Sequence, residues 1–304
     1  MKSYPKTPVI ISILLLMVFQ NLSSKVLEIG IKDSLDIIIQ EQLHKTVFYK
    51  RDQIKVNEED VLKAVDAFPA FGVYKDTYFS TGIPLNKSID RNTADALFQI
   101  SIRHRLTKSR LPFNSFLYLT YTQKSFWNIY AESAPFRDTN YNPSLGVGKY
   151  IIHNNLLKGA AFLQLEHESN GKDGIDSRSW NMVSFSAKYF YNLQTSLGFK
   201  VWIPIVDGDE NKDLVDYKGI FTLSGNYITK DSKWWLSAEL NPRQGFGNIN
   251  TVVTAAFKVS KNSNQYIYAR FFNGKGDSLL DYNKYDINLR VGFCIKPDFG
   301  SIFN

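Results

Sequence analysis

The sequence predicts an all-β protein, a 12-stranded antiparallel transmembrane β-barrel with an N-terminal periplasmic extension. Three observations predict it. Apolar residues recur at every second position through most of the chain after Phe71, about twelve segments carry this pattern, and the gaps between them alternate between short and long. A period of two marks a strand with one apolar and one polar face, because successive side chains point to opposite sides.

The alternation is plain in 96–103, where the even positions are apolar and Gln99, Ser101 and Arg103 face the other way. It returns where Val183, Phe185 and Ala187 oppose Ser184, Ser186 and Lys188, and again where Leu289, Val291 and Phe293 oppose Asn288, Arg290 and Gly292. The segments fall near 71–80, 95–105, 115–125, 138–150, 159–169, 181–192, 197–205, 215–227, 233–241, 248–259, 264–273 and 284–295. An even number of antiparallel strands can close on itself and leave no unpaired edge. Gaps near 106–114, 193–196, 228–232 and 260–263 are short, while 81–94, 126–137, 206–214 and 274–283 are mostly longer and polar. That asymmetry fits short periplasmic turns and long outer loops. A soluble β-sandwich also alternates, but the 17 Tyr, 22 Phe and 5 Trp, many near strand ends, suit the aromatic girdles of a membrane barrel.

Upstream, Lys2 and Lys6 precede an apolar run from Val9 to Phe19 and then Asn21, Leu22, Ser23 and Ser24, the layout of a secretory signal peptide. The run is shorter than the ~20 residues of a spanning helix. We therefore expect a signal peptide at 1–24, a periplasmic extension at 25–70 and a barrel domain at 71–304. Within the extension, Val61, Leu62 and Val65 have the spacing of a short helix before Pro69. After the signal no stretch reaches ~18 consecutive apolar residues, which excludes helical spans. A single cysteine, Cys294, excludes an internal disulfide framework. The net charge of +7 is diffuse, with Lys2, Lys6 and Lys25 in or beside the signal, so it marks no nucleic-acid stripe and at most favours anionic lipid.

The chemistry is concentrated in the run 167–181. Ala161, Leu163 and Leu165 share one strand face, and stepping by two carries that face to His167 and Ser169. Asn181 shares parity with Val183, Phe185 and Ala187, so all three polar residues are expected on the lipid-facing side. Polar groups there cost free energy unless they bond one another, which makes the convergence of three a functional signal. Serine is a weak nucleophile at neutral pH; His167 can take the Ser169 proton, and Asn181 can fix the imidazole's orientation and tautomer. His44, His104 and His153 are isolated in sequence, without metal-ligand spacing, and read as structural or interfacial.

The run HESNGKDGIDSRSWN resembles the signature of the outer-membrane phospholipase A family. Tyr121-Thr122-Gln123, Pro135-Phe136-Arg137, Thr139-Asn140-Tyr141 with Pro143, and Ser278-Leu279-Leu280-Asp281-Tyr282 resemble further segments of that family, while 25–70 lies outside the resemblance. The resemblance implies a calcium-dependent phospholipase that hydrolyses sn-1 and sn-2 acyl esters of phospholipids and lysophospholipids, with little head-group selectivity. It implies His167, Ser169 and Asn181 as catalytic residues and the N–H groups of Ser169 and Gly171 as an oxyanion hole. It also implies a homodimer with Gln123 at the interface. Calcium would be bound by the Lys172 carbonyl and Ser177, with Ser133 supplied by the second subunit. Lys172 replaces the family's usual arginine, and Gly174 stands where related sequences can carry an aspartate, for which Asp173 or Asp176 could compensate. Gln123 has the parity of Leu117, Leu119 and Tyr121, so an unpaired amide is expected on the lipid face. The expected location is the outer membrane of a Gram-negative bacterium, with the active site toward the outer leaflet. The alternative is a non-catalytic barrel, a pore or adhesion scaffold that works through its polar inner face.

Overall fold

Residues 57–206, 209–260 and 263–297 are described in the computed structural model, so the expected signal peptide and the extension as far as residue 56 lie outside the described residues. The alternating segments form β1 (Phe71–Val73), β2 (Thr77–Pro84), β3 (Asp95–Arg105), β4 (Ser115–Trp127), β5 (Phe136–His153), β6 (Leu156–Ser169) and β7 (Ser179–Phe190). They continue as β8 (Thr195–Ile205), β9 (Phe221–Ile228), β10 (Trp234–Pro242), β11 (Ile249–Lys258), β12 (Gln265–Gly274) and β13 (Asp286–Ile295). Neighbours pair antiparallel in sequence order, and β13 pairs with β2, closing β2–β13 into a twelve-stranded barrel.

Two elements differ from the sequence expectation. The strand expected at 71–80 is broken: Phe71 pairs with His104 and Tyr78 with Gln99, so seven steps on this side match five on β3, and the excess is taken up around Tyr74–Asp76. The strand expected at 215–227 begins late, because Leu214–Lys218 forms a helical turn, α2, before β9. Leu214 is fully buried against Trp180, Trp202, Leu279 and Tyr282, and Gly219 at φ 64° ends the turn. Burial of one leucine among aromatic rings outweighs the local alternation.

Connections at one end of the barrel span 85–94, 128–135, 170–178, 206–220, 243–248 and 275–285, while those at the other span 106–114, 154–155, 191–194, 229–233 and 259–264. The tightest, Asn154-Asn155, has both residues at positive φ, as a two-residue hairpin turn requires. The faces are inverted relative to a soluble fold. Leu163, Leu165 and Ile203 stand exposed outside, while Gln164, Glu166, Ser184 and Arg290 are buried inside. Exposed Phe136, Phe246 and Tyr285 ring the long-loop end, and Tyr191, Tyr227 and Trp234 the other.

Buried ion pairs line the lumen: Arg270 to Asp277 at 2.7 Å, Lys124 to Asp277 at 3.0 Å and Arg290 to Asp95 at 2.8 Å. Burial alone would raise the Asp277 carboxyl, but Arg270, Lys124 and Arg290 override it and hold it well below the usual carboxylate range. The 275–285 loop is latched into the mouth, since Ser278 Oγ donates to Asp138 at 2.7 Å and the Leu279 N–H to Asn140 Oδ1 at 3.1 Å.

The helix expected before Pro69 is present as α1 (Glu58–Asp66), with Asn57 accepting the Asp60 N–H at 2.8 Å and Val61 and Val65 buried. Its orphan C-terminal carbonyls are met by the barrel. Arg105 of β3 donates to Val65 O at 3.0 Å, Asp66 O at 2.7 Å and Phe68 O at 3.1 Å. The Asp66 carboxylate in turn accepts the Ser109 N–H at 3.0 Å, so 57–70 is strapped to the short-turn end.

Candidate active site

The site lies on the outer wall, where β6 and β7 approach the long-loop end. His167 pairs with Asn181 across the two strands, both on the outward face shared by Leu165 and Val183. His167 Nδ1 lies 2.8 Å from Asn181 Oδ1. An amide oxygen can only accept, so Nδ1 carries the proton and the Nε2 lone pair is left free as a base. Ser169 is two residues further on the same face, across from Tyr141 and Ser179. The structure brings His167 and Asn181 into contact; among the described residues Ser169 makes no side-chain hydrogen bond to the ring, a contact that catalytic sites often tighten only with substrate bound.

The carboxylates beside His167 in sequence are turned away from it. Glu166 points into the lumen, bound by Lys200 at 2.5 Å and by the Ser184 hydroxyl. Glu168 accepts from Trp180 Nε1 at 2.7 Å and Lys218 at 2.9 Å. Both are ion-paired on the inner side of the wall, by Lys200 and Lys218, which leaves the uncharged Asn181 as the group that holds the imidazole. An amide costs less than a carboxylate on a lipid-facing surface, at the expense of weaker support for the imidazolium.

Two supporting residues on β5 were not singled out from sequence for this role. Pro143 stands opposite His167, between the Tyr141–Ser169 and Ser144–Glu166 pairs, and has no N–H to give. Asn142 supplies the missing donor, its side-chain amide reaching the His167 carbonyl at 2.9 Å. The family-like stretch containing Tyr141 and Pro143 was visible in sequence, but its partner strand was not.

The 170–178 turn is tied internally: Asn170 Oδ1 accepts the Arg178 N–H at 2.9 Å, and its amide donates to Asp176 O at 2.8 Å. Gly171 has φ +64°, and a Cβ there would lie 3.0 Å from the Tyr141 ring, so both conformation and space favour glycine. No described acceptor takes the Gly171 N–H.

The calcium candidates lie on two loops at the same end, 128–135 and 170–178. Lys172 Nζ is drawn off to Arg137 O at 2.7 Å, away from its own carbonyl. The donor set is hard oxygen throughout: the Lys172 carbonyl and the Ser177 hydroxyl, neither bound by a described donor, with the Asp173 and Asp176 carboxylates in the same turn. Gly174 has φ +57° with nothing within 4 Å of a built Cβ, a left-handed position that aspartate tolerates better than most residues. Among the described residues no three His, Cys, Asp or Glu side chains gather in a cluster that could hold a metal ion.

Gln123 departs from the expectation of an unpaired amide. Its Oε1 accepts from Tyr121 OH at 3.1 Å and its Nε2 donates to Ser125 Oγ at 3.3 Å. One N–H and one lone pair of the amide remain for a partner.

An apolar groove of about 650 Å³ runs along the outer wall from the site. His167, Asn181 and Val183 line one end; Leu145, Leu119 and Ile102 continue it across β5, β4 and β3. His104 lies at its far end, whereas His153 closes β5 away from the groove and His44 is outside the described residues.

Closed barrel and apolar exterior define an outer-membrane β-barrel, and its outer wall carries a polar cluster. The phospholipase A1 family model matches residues 74–295. Phospholipase A1 of Proteus vulgaris is 31% identical over 219 residues, covering 70% of this chain and 74% of that protein. Among solved structures, the Salmonella typhi outer-membrane phospholipase dimer with bound calcium superposes with TM-score 0.67 at 26% identity, over 77% of this chain and 94% of that one. An Escherichia coli outer-membrane phospholipase A whose active-site asparagine is replaced by alanine gives TM-score 0.65 at 26% identity, over 76% and 93%. The chain belongs to the phospholipase A1 family and is an outer-membrane phospholipase.

Proposed function

We propose that this enzyme is a calcium-dependent homodimer that hydrolyses sn-1 and sn-2 acyl esters of phospholipids and lysophospholipids with His167, Ser169 and Asn181, on the barrel face toward the outer leaflet. The observation that carries the reading is the 2.8 Å contact between His167 Nδ1 and Asn181 Oδ1 on the outer wall, with Ser169 on the same face. The related E. coli structure with an altered active-site asparagine supports a catalytic amide. The barrel boundaries at 71–304, after a signal at 1–24 and an extension at 25–70, belong to the same proposal.

Ser169 Oγ attacks the ester carbonyl carbon while its proton passes to His167 Nε2, which the Asn181 bond, by holding the proton on Nδ1, leaves as the acceptor and aims. Negative charge on the carbonyl oxygen is taken by the N–H groups of Ser169 and Gly171. The tetrahedral intermediate then expels the glyceryl oxygen, which collects the proton from His167. Water, deprotonated by the same ring, cleaves the acyl-serine and restores the hydroxyl. The substrate ester never enters the lumen, because nucleophile and base meet it from the membrane side.

Calcium would be held by the Lys172 carbonyl, Ser177 and the partner's Ser133, and when bound it supplies positive charge beside the developing oxyanion. Gln123 contributes its remaining amide capacity to the dimer contact. In phospholipid–detergent mixed micelles, chelation should lower turnover about a hundredfold or more, and calcium should restore it where magnesium does not. Full activity in chelator would refute the calcium assignment.

A further inference from the structure

We propose that Phe71, delivered by the N-terminal strap, is the end wall of the groove that takes the substrate's acyl chain, and so determines which chain lengths are cut fastest. The inference rests on the reading that the ester is cleaved at His167 and Ser169, at the other end of the same groove.

Phe71 lies outside the residues matched by the family, 74–295, so this wall is added to the matched region by the strap. Its ring is 59% exposed on the outer wall and tilts at 48° against the His104 ring, with centroids 6.4 Å apart. The backbone beneath it is fixed. The Arg105 N–H donates to Ala70 O at 2.8 Å, Arg103 Nη1 donates to Pro69 O and Ala70 O at 3.2 Å each, and Arg105 holds the end of α1.

The pairing register places Phe71 at the end of one row across the sheet: Phe71 with His104, then Leu119, Leu145, Leu165 and Val183. His167 stands one outward position further along β6 from Leu165. From β6 to β1 is four strand spacings, about 19 Å. The hydrocarbon depth of one leaflet is about 15 Å, half the ~30 Å core. An acyl chain about as long as a leaflet is deep therefore stays just short of the paired rings, and only longer chains, from about 19 Å, press against Phe71.

The test uses the full-length enzyme in mixed micelles, with diacyl phospholipids graded from short to long chains, and reads kcat/KM against chain length. Phe71→Ala should raise the long-to-short ratio, by at most about fourfold per methylene newly accommodated. Phe71→Trp should move the optimum to shorter chains. Profiles of both variants that overlay the parent's, or shift every length by one common factor, overturn the proposal while leaving the esterase reading intact. Hydrolysis that survives Ser169→Ala instead removes the reading on which both depend.

Discussion

Ser169→Ala is expected to lower phospholipid hydrolysis by roughly 10⁴-fold or more, with the barrel intact. In the proposed mechanism the substitution removes the atom that would carry the acyl group, and with it the two-step path through an acyl-enzyme. What remains is water attacking an ester held beside oxyanion donors, which in triad hydrolases still gives about 10³–10⁴-fold over the uncatalysed rate. Stability should change little, because Ser169 is partly exposed at the end of β6 and makes no described side-chain hydrogen bond. Turnover measured in mixed micelles beside the heat-dependent gel mobility of the barrel separates the two effects. A variant with near-parent turnover would move the nucleophile elsewhere.

Asn181→Ala should have the next largest effect, a loss of about 10–100-fold in kcat with little change in KM. In the proposed mechanism Asn181 acts through the His167 ring it bonds, so its removal acts on the fraction of imidazole in the correct tautomer and orientation. When a buried carboxylate plays this part, replacing it with an amide costs about 10⁴-fold. An amide already lacks that charge, so less is lost. Asn181→Gln, which keeps the acceptor on a longer arm, should recover part of the rate. A fall in kcat/KM carried wholly by KM would assign Asn181 to substrate binding instead.

Legibility in sequence followed the range of the interaction. The barrel was readable because period-two alternation is local, and parity alone put His167, Ser169 and Asn181 on one side of the wall. Asn181 was recognisable from its parity with Val183, Phe185 and Ala187 and from the family-like run 167–181 that contains it. Asn142 had no comparable signal, since its role depends on the β5–β6 register and on Pro143 leaving the His167 carbonyl without a ladder donor. Gln123 was read correctly as outward, but its bonds to Tyr121 and Ser125, two residues away on either side, were hidden because parity says nothing of rotamers. The break at Tyr74–Asp76 and the helical turn at Leu214 were missed for a related reason. Each trades strand pairing for contacts with residues distant in sequence.

Covalent labelling with an alkyl fluorophosphonate that partitions into detergent micelles is the most direct probe of a nucleophile aimed at the membrane. Peptide mapping should find one adduct, on Ser169, formed rapidly in the parent and about 10³-fold or more slowly in His167→Ala. Adducts confined to another serine, or labelling of Ser169 at the same rate without the His167 ring, would contradict a histidine-activated serine on the outer wall.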